Sequence, residues 1–424
     1  MRSSFSAIAA LSATLFGIAY WAARADDVRL LRETHAAEDV EVGGIVDLLR
    51  LAIPAGDEVG EVLRRDVLAL RAFWLLDRRH LPAALLEDDG FERTAWREVG
   101  ADVVIKNAEA DGRITFELYD LAKGERPTLS RSYPSDDRRK AAHRFMNEVI
   151  AVYTGTPGVC GSRIAFVRTR RAPGISKNIF TMEMDGGGVV GVTANRSLNV
   201  LPSLGPGGQV LFTSYAKRNP DLWVSDAGPP VRISHFPGLN LGGVMSPRGD
   251  AIALALSRDG NSEIYTLGMD GAVRARLTDD DAIDGAPTWS PTGDQLAFVS
   301  TRAGGSQVFR MRRDGGAVAQ VTLVGGDNQA PDWRPGEGDY GQWIAYAGRE
   351  ETRLDIFSIN VKTGRTRRLT HDGGRNSDPS WAPDGRMIAF SGTGGIMMAD
   401  PDGTQPRLVR ADATTPDWGP RMPE

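Results

Sequence analysis

Of 424 residues only Cys160 is a cysteine, which excludes a disulfide framework and the paired-cysteine metal motifs. The five histidines, His35, His80, His143, His235 and His371, are scattered and show no HExxH or other ligand spacing, so no zinc-type catalytic centre is encoded. No G-x-S-x-G pentapeptide occurs, which removes the nucleophile elbow of an α/β-hydrolase. Neither sign of charge dominates: 50 Lys and Arg stand against 55 Asp and Glu, a net charge of −5. With no basic run and no recognition signature, nucleic acid is not an expected partner. Long apolar runs are confined to residues 5–22, preceded by Arg2 and followed by Ala23-Arg24-Ala25 and an abrupt Asp26-Asp27. That stretch is long enough to span as an anchor, but its small-residue exit predicts a secretory signal cleaved after Ala25. No cysteine follows to carry a lipid, and the mature chain is expected to be soluble outside the cytoplasm, where a lone cysteine is at home.

What is abundant is a repeated phrase. Pro287-Thr288-Trp289-Ser290-Pro291-Thr292-Gly293 precedes Leu296-Ala297-Phe298, and Pro379-Ser380-Trp381-Ala382-Pro383-Asp384-Gly385 precedes Ile388-Ala389-Phe390. Further copies start at Pro331 and Pro416, and degenerate ones at 202 and 243, a period of about 43 residues that fits a four-stranded propeller blade. Within a period, proline presets φ and glycine accepts positive φ at the first hairpin. A third strand recurs as Asn178-Ile179-Phe180, Asp221-Leu222-Trp223, Glu263-Ile264-Tyr265, Gln307-Val308-Phe309, Asp355-Ile356-Phe357 and Gly395-Ile396-Met397, which predicts six blades. The strand at Arg163-Ile164-Ala165-Phe166-Val167 lacks a Pro-x-Trp before it, and Pro416-Asp417-Trp418 lacks a strand after it. The C-terminal segment is therefore expected to supply the innermost strand of the first blade, leaving no free edge.

Residues 45–154 follow a different grammar. A strand is predicted at 48–53, a helix at 58–70 with Val59, Val62, Leu63, Val67 and Leu70 on one side, and strands at 73–76 and 102–105 around a short helix at 94–99. Segments 113–121 and 129–133 read as a hairpin. A last helix, capped near Ser135 and Asp136, presents Ala142, Phe145, Met146, Val149, Ile150 and Tyr153 at helical spacing. The expected organisation is a signal (1–25), a tail (26–44), an N-terminal α/β domain (45–154), a linker (155–161) and an all-β six-bladed propeller (162–424).

Three residues before each start of the phrase stand Asn199, Asn240, Asp284, Asn328, Asn376 and Ala413. Five of six are Asn or Asp, and they fall where one blade's outermost strand enters the next blade's innermost strand, so they should ring one mouth of the channel. Each can shape its loop as an Asx-turn with backbone two residues on, and some amides can also face a ligand; the two readings are compatible. Trp289, Trp333, Trp381 and Trp418 share one repeat position and read as core. Asp279-Asp280-Asp281 reads as a solvated loop, Arg168, Arg170 and Arg171 as a solvated basic face open to anionic polymers, and Cys160 as inert linker.

The order of signal, a domain of about 130 residues and six such blades resembles the TolB family of the Tol-Pal system of Gram-negative envelopes. Supporting stretches are Leu75-Leu76-Asp77-Arg78-Arg79-His80-Leu81-Pro82, Trp96-Arg97-Glu98-Val99-Gly100-Ala101-Asp102 and Gly161-Ser162-Arg163-Ile164-Ala165-Phe166-Val167. The resemblance implies a periplasmic, non-enzymatic, cofactor-free monomer that supports outer-membrane integrity and envelope constriction in cell division. It implies that the lipoprotein Pal docks at one propeller mouth and that the tail, from Asp26, Asp27, Val28, Arg29 and Leu30, engages TolA. Phe236-Pro237-Gly238-Leu239-Asn240 resembles the family's F-P-x-x-N stretch at that mouth. Leu239 and Asn240 are thereby implicated, with Asp284, Gly285, Ala286, Asn328, Gln329, Asn376, Ser377 and Asp378 on neighbouring loops. An alternative is a related propeller that binds another envelope protein or a glycan, or serves as accessory to a hydrolase.

Overall fold

The computed structural model describes residues 48–87, 90–171, 174–226, 228–325, 327–350, 352–372 and 374–420. The expected signal and tail, with Asp26, Asp27, Val28, Arg29 and Leu30, lie outside the described residues. The chain divides into two compact units, Met1–Cys160 and Gly161–Glu424.

The first unit is an α/β layer. It comprises β1 (Arg50–Ala52), α1 (Glu58–Leu70), β2 (Trp74–Leu75), α2 (Ala83–Glu87), α3 (Arg93–Glu98), β3 (Val103–Ala110), β4 (Arg113–Asp120), β5 (Leu129–Pro134) and α4 (Arg138–Thr154). The sheet order is β2-β1-β3-β4-β5, with β1 parallel to both neighbours and β3, β4 and β5 antiparallel. Helix α1 begins where the Asp57 carboxylate accepts the Gly60 N–H at 2.8 Å, and it ends at Arg71 in the left-handed region (φ 53°). Its apolar stripe, Val59, Val62, Leu63 and Val67, packs with Phe145, Met146 and Val149 of α4 and with Ile114, Phe116 and Leu118 of β4. Burying this stripe stabilises a helix that propensity alone would leave marginal. The cap of α4 is Asp137, which accepts the Lys140 N–H at 2.9 Å, rather than Ser135 or Asp136. Helix α2 was not legible in the sequence, and Cys160 is buried in this core rather than lying in an open linker.

The second unit is a six-bladed β-propeller of six four-stranded antiparallel sheets. The innermost strands of blades 2 to 6 are Asn199–Leu204, Asn240–Met245, Asp284–Trp289, Asn328–Trp333 and Ser377–Trp381. Blade 1 contains Arg163–Arg170, Ser176–Glu183 and Val190–Gly191, and its innermost strand is Thr414–Trp418 from the far end of the chain, in register Asp417 to Ala165 and Trp418 to Ile164. Apolar clusters lie between consecutive blades: Ala251, Ala253 and Ile264 of blade 3 meet Trp289, Leu296 and Phe298 of blade 4. The repeated tryptophans are buried in these seams, where the Trp289 and Trp333 indoles donate to the carbonyls of Val244 (3.1 Å) and Gly341 (2.7 Å). Such burial rules them out as an exposed stacking platform.

The propeller mouth as candidate functional site

Strands alternate in direction within each blade, so the loop entering an innermost strand and the hairpin between the second and third strands lie on one face. That face carries the ring of Asn and Asp residues, each the first residue of an innermost strand or just before it. The side chains of Asn199, Asn240, Asp284, Asn328 and Asn376 are buried. None of their hydrogen bonds among the described residues reaches backbone two residues on: Asn199, Asn328 and Asn376 bind backward into the preceding blade, Asn240 binds its own entry loop, and Asp284 binds Arg302 of its own blade.

At the junction of blades 4 and 5, the Thr322 hydroxyl accepts the Val308 N–H (2.9 Å) and donates to Gln307 Oε1 (2.6 Å), which also accepts from the Asn328 amide (2.8 Å). The same amide donates to the Val324 carbonyl at 2.9 Å. Blades 5 and 6 repeat the device with Ile356, Thr370, Asp355 and Asn376, and blades 1 and 2 with Ile179, Thr193, Asn178 and Asn199. Asn240 instead gathers its own loop, accepting from the Ser234 hydroxyl (2.6 Å) and the Phe236 N–H (3.0 Å) and donating to the Phe236 carbonyl (2.8 Å). Between blades 3 and 4 both positions are carboxylates, Glu263 and Asp284, where the other junctions described above place at least one amide. Burial pushes the Asp284 carboxyl up from its ordinary value, opposed by the Ser300 hydroxyl and by Arg302, whose guanidinium sits 2.6 Å away. Most of these polar groups are hydrogen-bonded internally, as burial demands, with Asp284 Oδ1 and Asn376 Oδ1 left without a partner among the described residues, and they fix the loops that frame the mouth.

Two residues further on, the backbone turns left-handed in all six innermost strands: Leu201 (φ 53°), Gly242 (62°), Ala286 (47°), Ala330 (48°), Asp378 (51°) and Thr415 (54°). Each marks a break in strand register, a bulge that re-aims the chain before the Pro-x-Trp segment. The positions beside the buried ring are the open ones. Leu239, Ala286 and Gln329 are exposed, while Gly285, Ser377 and Asp378 are half-buried. Sequence reasoning missed a further feature of this rim: Leu198, Leu239, Ile283, Leu323 and Val324 put exposed aliphatic side chains on four consecutive entry loops, with Leu323 and Val324 78% and 84% exposed. Asp279 and Asp280 are not merely solvated, since they pair with Arg276 (2.8 Å) and Arg302 (2.6 Å).

Deeper in the ring stand two carboxylates that the phrase Pro-Asp-Trp could have flagged. Asp332 accepts the Trp381 N–H of the next innermost strand at 2.7 Å, and Asp417 accepts the Leu204 N–H at 2.6 Å. Burial pushes both carboxyls up to about 7, and Asp417 adds to the shift of Asp332.

Comparison with known proteins agrees with this architecture. The sequence profile of the TolB beta propeller domain matches residues 151–422. The Tol-Pal system protein TolB of Anaeromyxobacter dehalogenans is 34% identical over 252 residues, 55% of this chain and 56% of the relative. That of Desulfosudis oleivorans is 38% identical over 191 residues, 43% of each. The chain thus matches about half the length of these curated relatives. The crystal structure of TolB from Acinetobacter baumannii shares the fold with a TM-score of 0.75 at 23% identity, covering 88% of this chain and 97% of that one. No helix among the described residues is long and apolar enough to cross a membrane. With a profile match over more than half its length, a six-bladed ring and an α/β unit before it, the chain belongs to the TolB family, whose curated relatives reported above are named Tol-Pal system proteins.

Proposed function

We propose that the chain is a periplasmic scaffold that docks a Pal-type lipoprotein at the propeller mouth and engages TolA through residues of the tail, beginning at Asp26, Asp27, Val28, Arg29 and Leu30. The observation that carries the docking reading is the rim of aliphatic side chains on four consecutive loops, three of them held by buried amides and that of Ile283 by the buried carboxylates Glu263 and Asp284. Exposed apolar positions that the fold does not need are typical of partner surfaces, and a few such anchors carry most of the binding energy. A loop fixed before binding also loses little entropy on complex formation. At Val324 the loop is cinched twice, because the Asn328 amide holds the Val324 carbonyl and the Gln307 amide holds that of Gly325 (2.5 Å).

Contact and support therefore belong to different residues. Leu239→Ser combined with Leu323→Ser and Val324→Ser should weaken recovery of a Pal-type lipoprotein from envelope extract by residues 26–424 at least about tenfold, with the melting temperature unchanged. Asn328→Ala should instead lower stability by about 1–3 kcal/mol through unsatisfied buried partners. Full recovery by the folded triple variant would remove the rim as the Pal site. Recovery of a different envelope protein by the parent would favour the related propeller that binds another partner.

A further inference from the structure

The blade 1 basic cluster joins a larger sector of the mouth face. Hairpin and loop contacts bring three segments together: Arg170 pairs with Ser176 and Thr169 with Lys177, the Lys177 N–H donates to the Ser197 carbonyl (3.0 Å), and the Tyr215 N–H donates to the Leu198 carbonyl (3.0 Å). The next turn closes with the Arg218 N–H on the Tyr215 carbonyl, also 3.0 Å. Six cations, Arg170, Arg171, Lys177, Arg196, Lys217 and Arg218, thus occupy one contiguous corner of blades 1 and 2, and all but Lys177 are exposed. Not one Asp or Glu occurs at 163–182 or 186–220, and Asp412 at the entry to the first blade's innermost strand is paired with Arg168 (2.8 Å), whereas the entry to blade 4 carries Asp279-Asp280-Asp281. Between the cations project Ile175, Leu198 and Tyr215, 68%, 38% and 37% exposed.

We propose that this sector is a docking surface for an anionic phospholipid bilayer. Cations spread over three separate loops suit a plane of negative headgroups, each adding a modest attraction that salt screens. Aliphatic and aromatic side chains set among the cations can enter the boundary between headgroups and acyl chains. An acidic protein face would be matched by fixed, bidentate geometry, and here the cations sit on long exposed side chains. The sector lies on the loops of blades 1 and 2 and shares only Leu198 with the aliphatic rim, so its cations and Ile175 stand apart from Leu239, Leu323 and Val324, and the inference stands whether or not those hold a lipoprotein.

Residues 26–424 would be sedimented with vesicles of phosphatidylcholine alone and with a roughly three-to-one mixture of phosphatidylcholine and phosphatidylglycerol, at low and high salt. Binding is expected only to the anionic vesicles and to fall with salt. Arg171→Gln, Arg196→Gln, Lys217→Gln and Arg218→Gln should each weaken it about fivefold, the equivalent of about 1 kcal/mol per cation. Ile175→Ser should weaken it while leaving the salt dependence in place, and Arg312→Gln on the opposite face should have no effect. Equal binding to both vesicles, or undiminished binding by the folded quadruple variant, would overturn the proposal. So would binding of soluble polyglutamate that the same variant loses while anionic vesicles fail to bind, since an acidic polypeptide would then be the partner.

Discussion

Asp332 and Asp417 are the residues at which the chemistry of the ring departs furthest from ordinary values. Each accepts one backbone N–H from the adjacent innermost strand, and the facing groups are Thr288, whose hydroxyl lies 3.5 Å from Asp332, and Asp417 itself. With folded values raised to about 7 from 3.8, the folded state binds more protons than the unfolded chain between those limits. Their contribution is therefore fully present below about 4 and is lost as pH rises through about 7. The melting temperature should fall between pH 6 and pH 8. Asp417→Asn, which keeps a carbonyl for the Leu204 N–H and abolishes the charge, should flatten that slope and stabilise the protein at pH 8 by on the order of 1–4 kcal/mol. A pH-independent difference between variant and parent would assign the effect to packing. The carboxylates were visible in the sequence as Pro-Asp-Trp, but burial was not, because neighbouring copies have Ser or Thr at the same place.

At the scale of the element, the blade strands were legible and the bulge was not. The Pro-x-Trp turn, the apolar runs and the third-strand aromatics each report a local rule, namely preset φ, burial on both faces and seam packing. The left-handed residue of the bulge reports none, for only Gly242 is the residue type that conformation favours. Leu201, Ala286, Ala330, Asp378 and Thr415 hold it because paired strand on either side and the following proline or Trp segment leave no other path. The same logic misled the reading of the mouth amides: local Asx geometry was the expectation, while Gln307, Asp355 and Asn178 on the preceding blade provide the partners. Ala330→Gly tests the strain directly. Relief of about 1–2 kcal/mol in the folded state outweighs the about 0.4–1 kcal/mol lost to a freer unfolded chain. Urea denaturation should therefore show a net gain on the order of 0.5–1 kcal/mol.

At the scale of the whole molecule, the ring and the order of its two units were legible because a 43-residue period and a change of hydrophobic pattern survive any local misreading. The α/β unit was less so: its sheet switches from parallel to antiparallel pairing at β3, and both parallel pairs are made by a β1 strand of only three residues, too short to alternate recognisably. Ring closure concentrates on Thr414–Trp418. The Trp418 indole donates to the Ser162 hydroxyl (2.9 Å), its N–H donates to Ser380 of blade 6 (2.8 Å), and Asp417 reaches Leu204 of blade 2. One five-residue strand thus ties three blades. Without it the second strand of blade 1 would keep an unpaired edge and blades 2 and 6 would each lose a buried face. Trp418→Ala should cost about 3–5 kcal/mol, more than the same substitution at an exposed position such as Trp74, which is 63% exposed. Deleting 414–424 should go further and replace a single cooperative unfolding transition of the propeller with a broad one in calorimetry. A sharp transition in the deletion variant would mean that five complete blades hold the ring by themselves and that the closing strand serves another purpose.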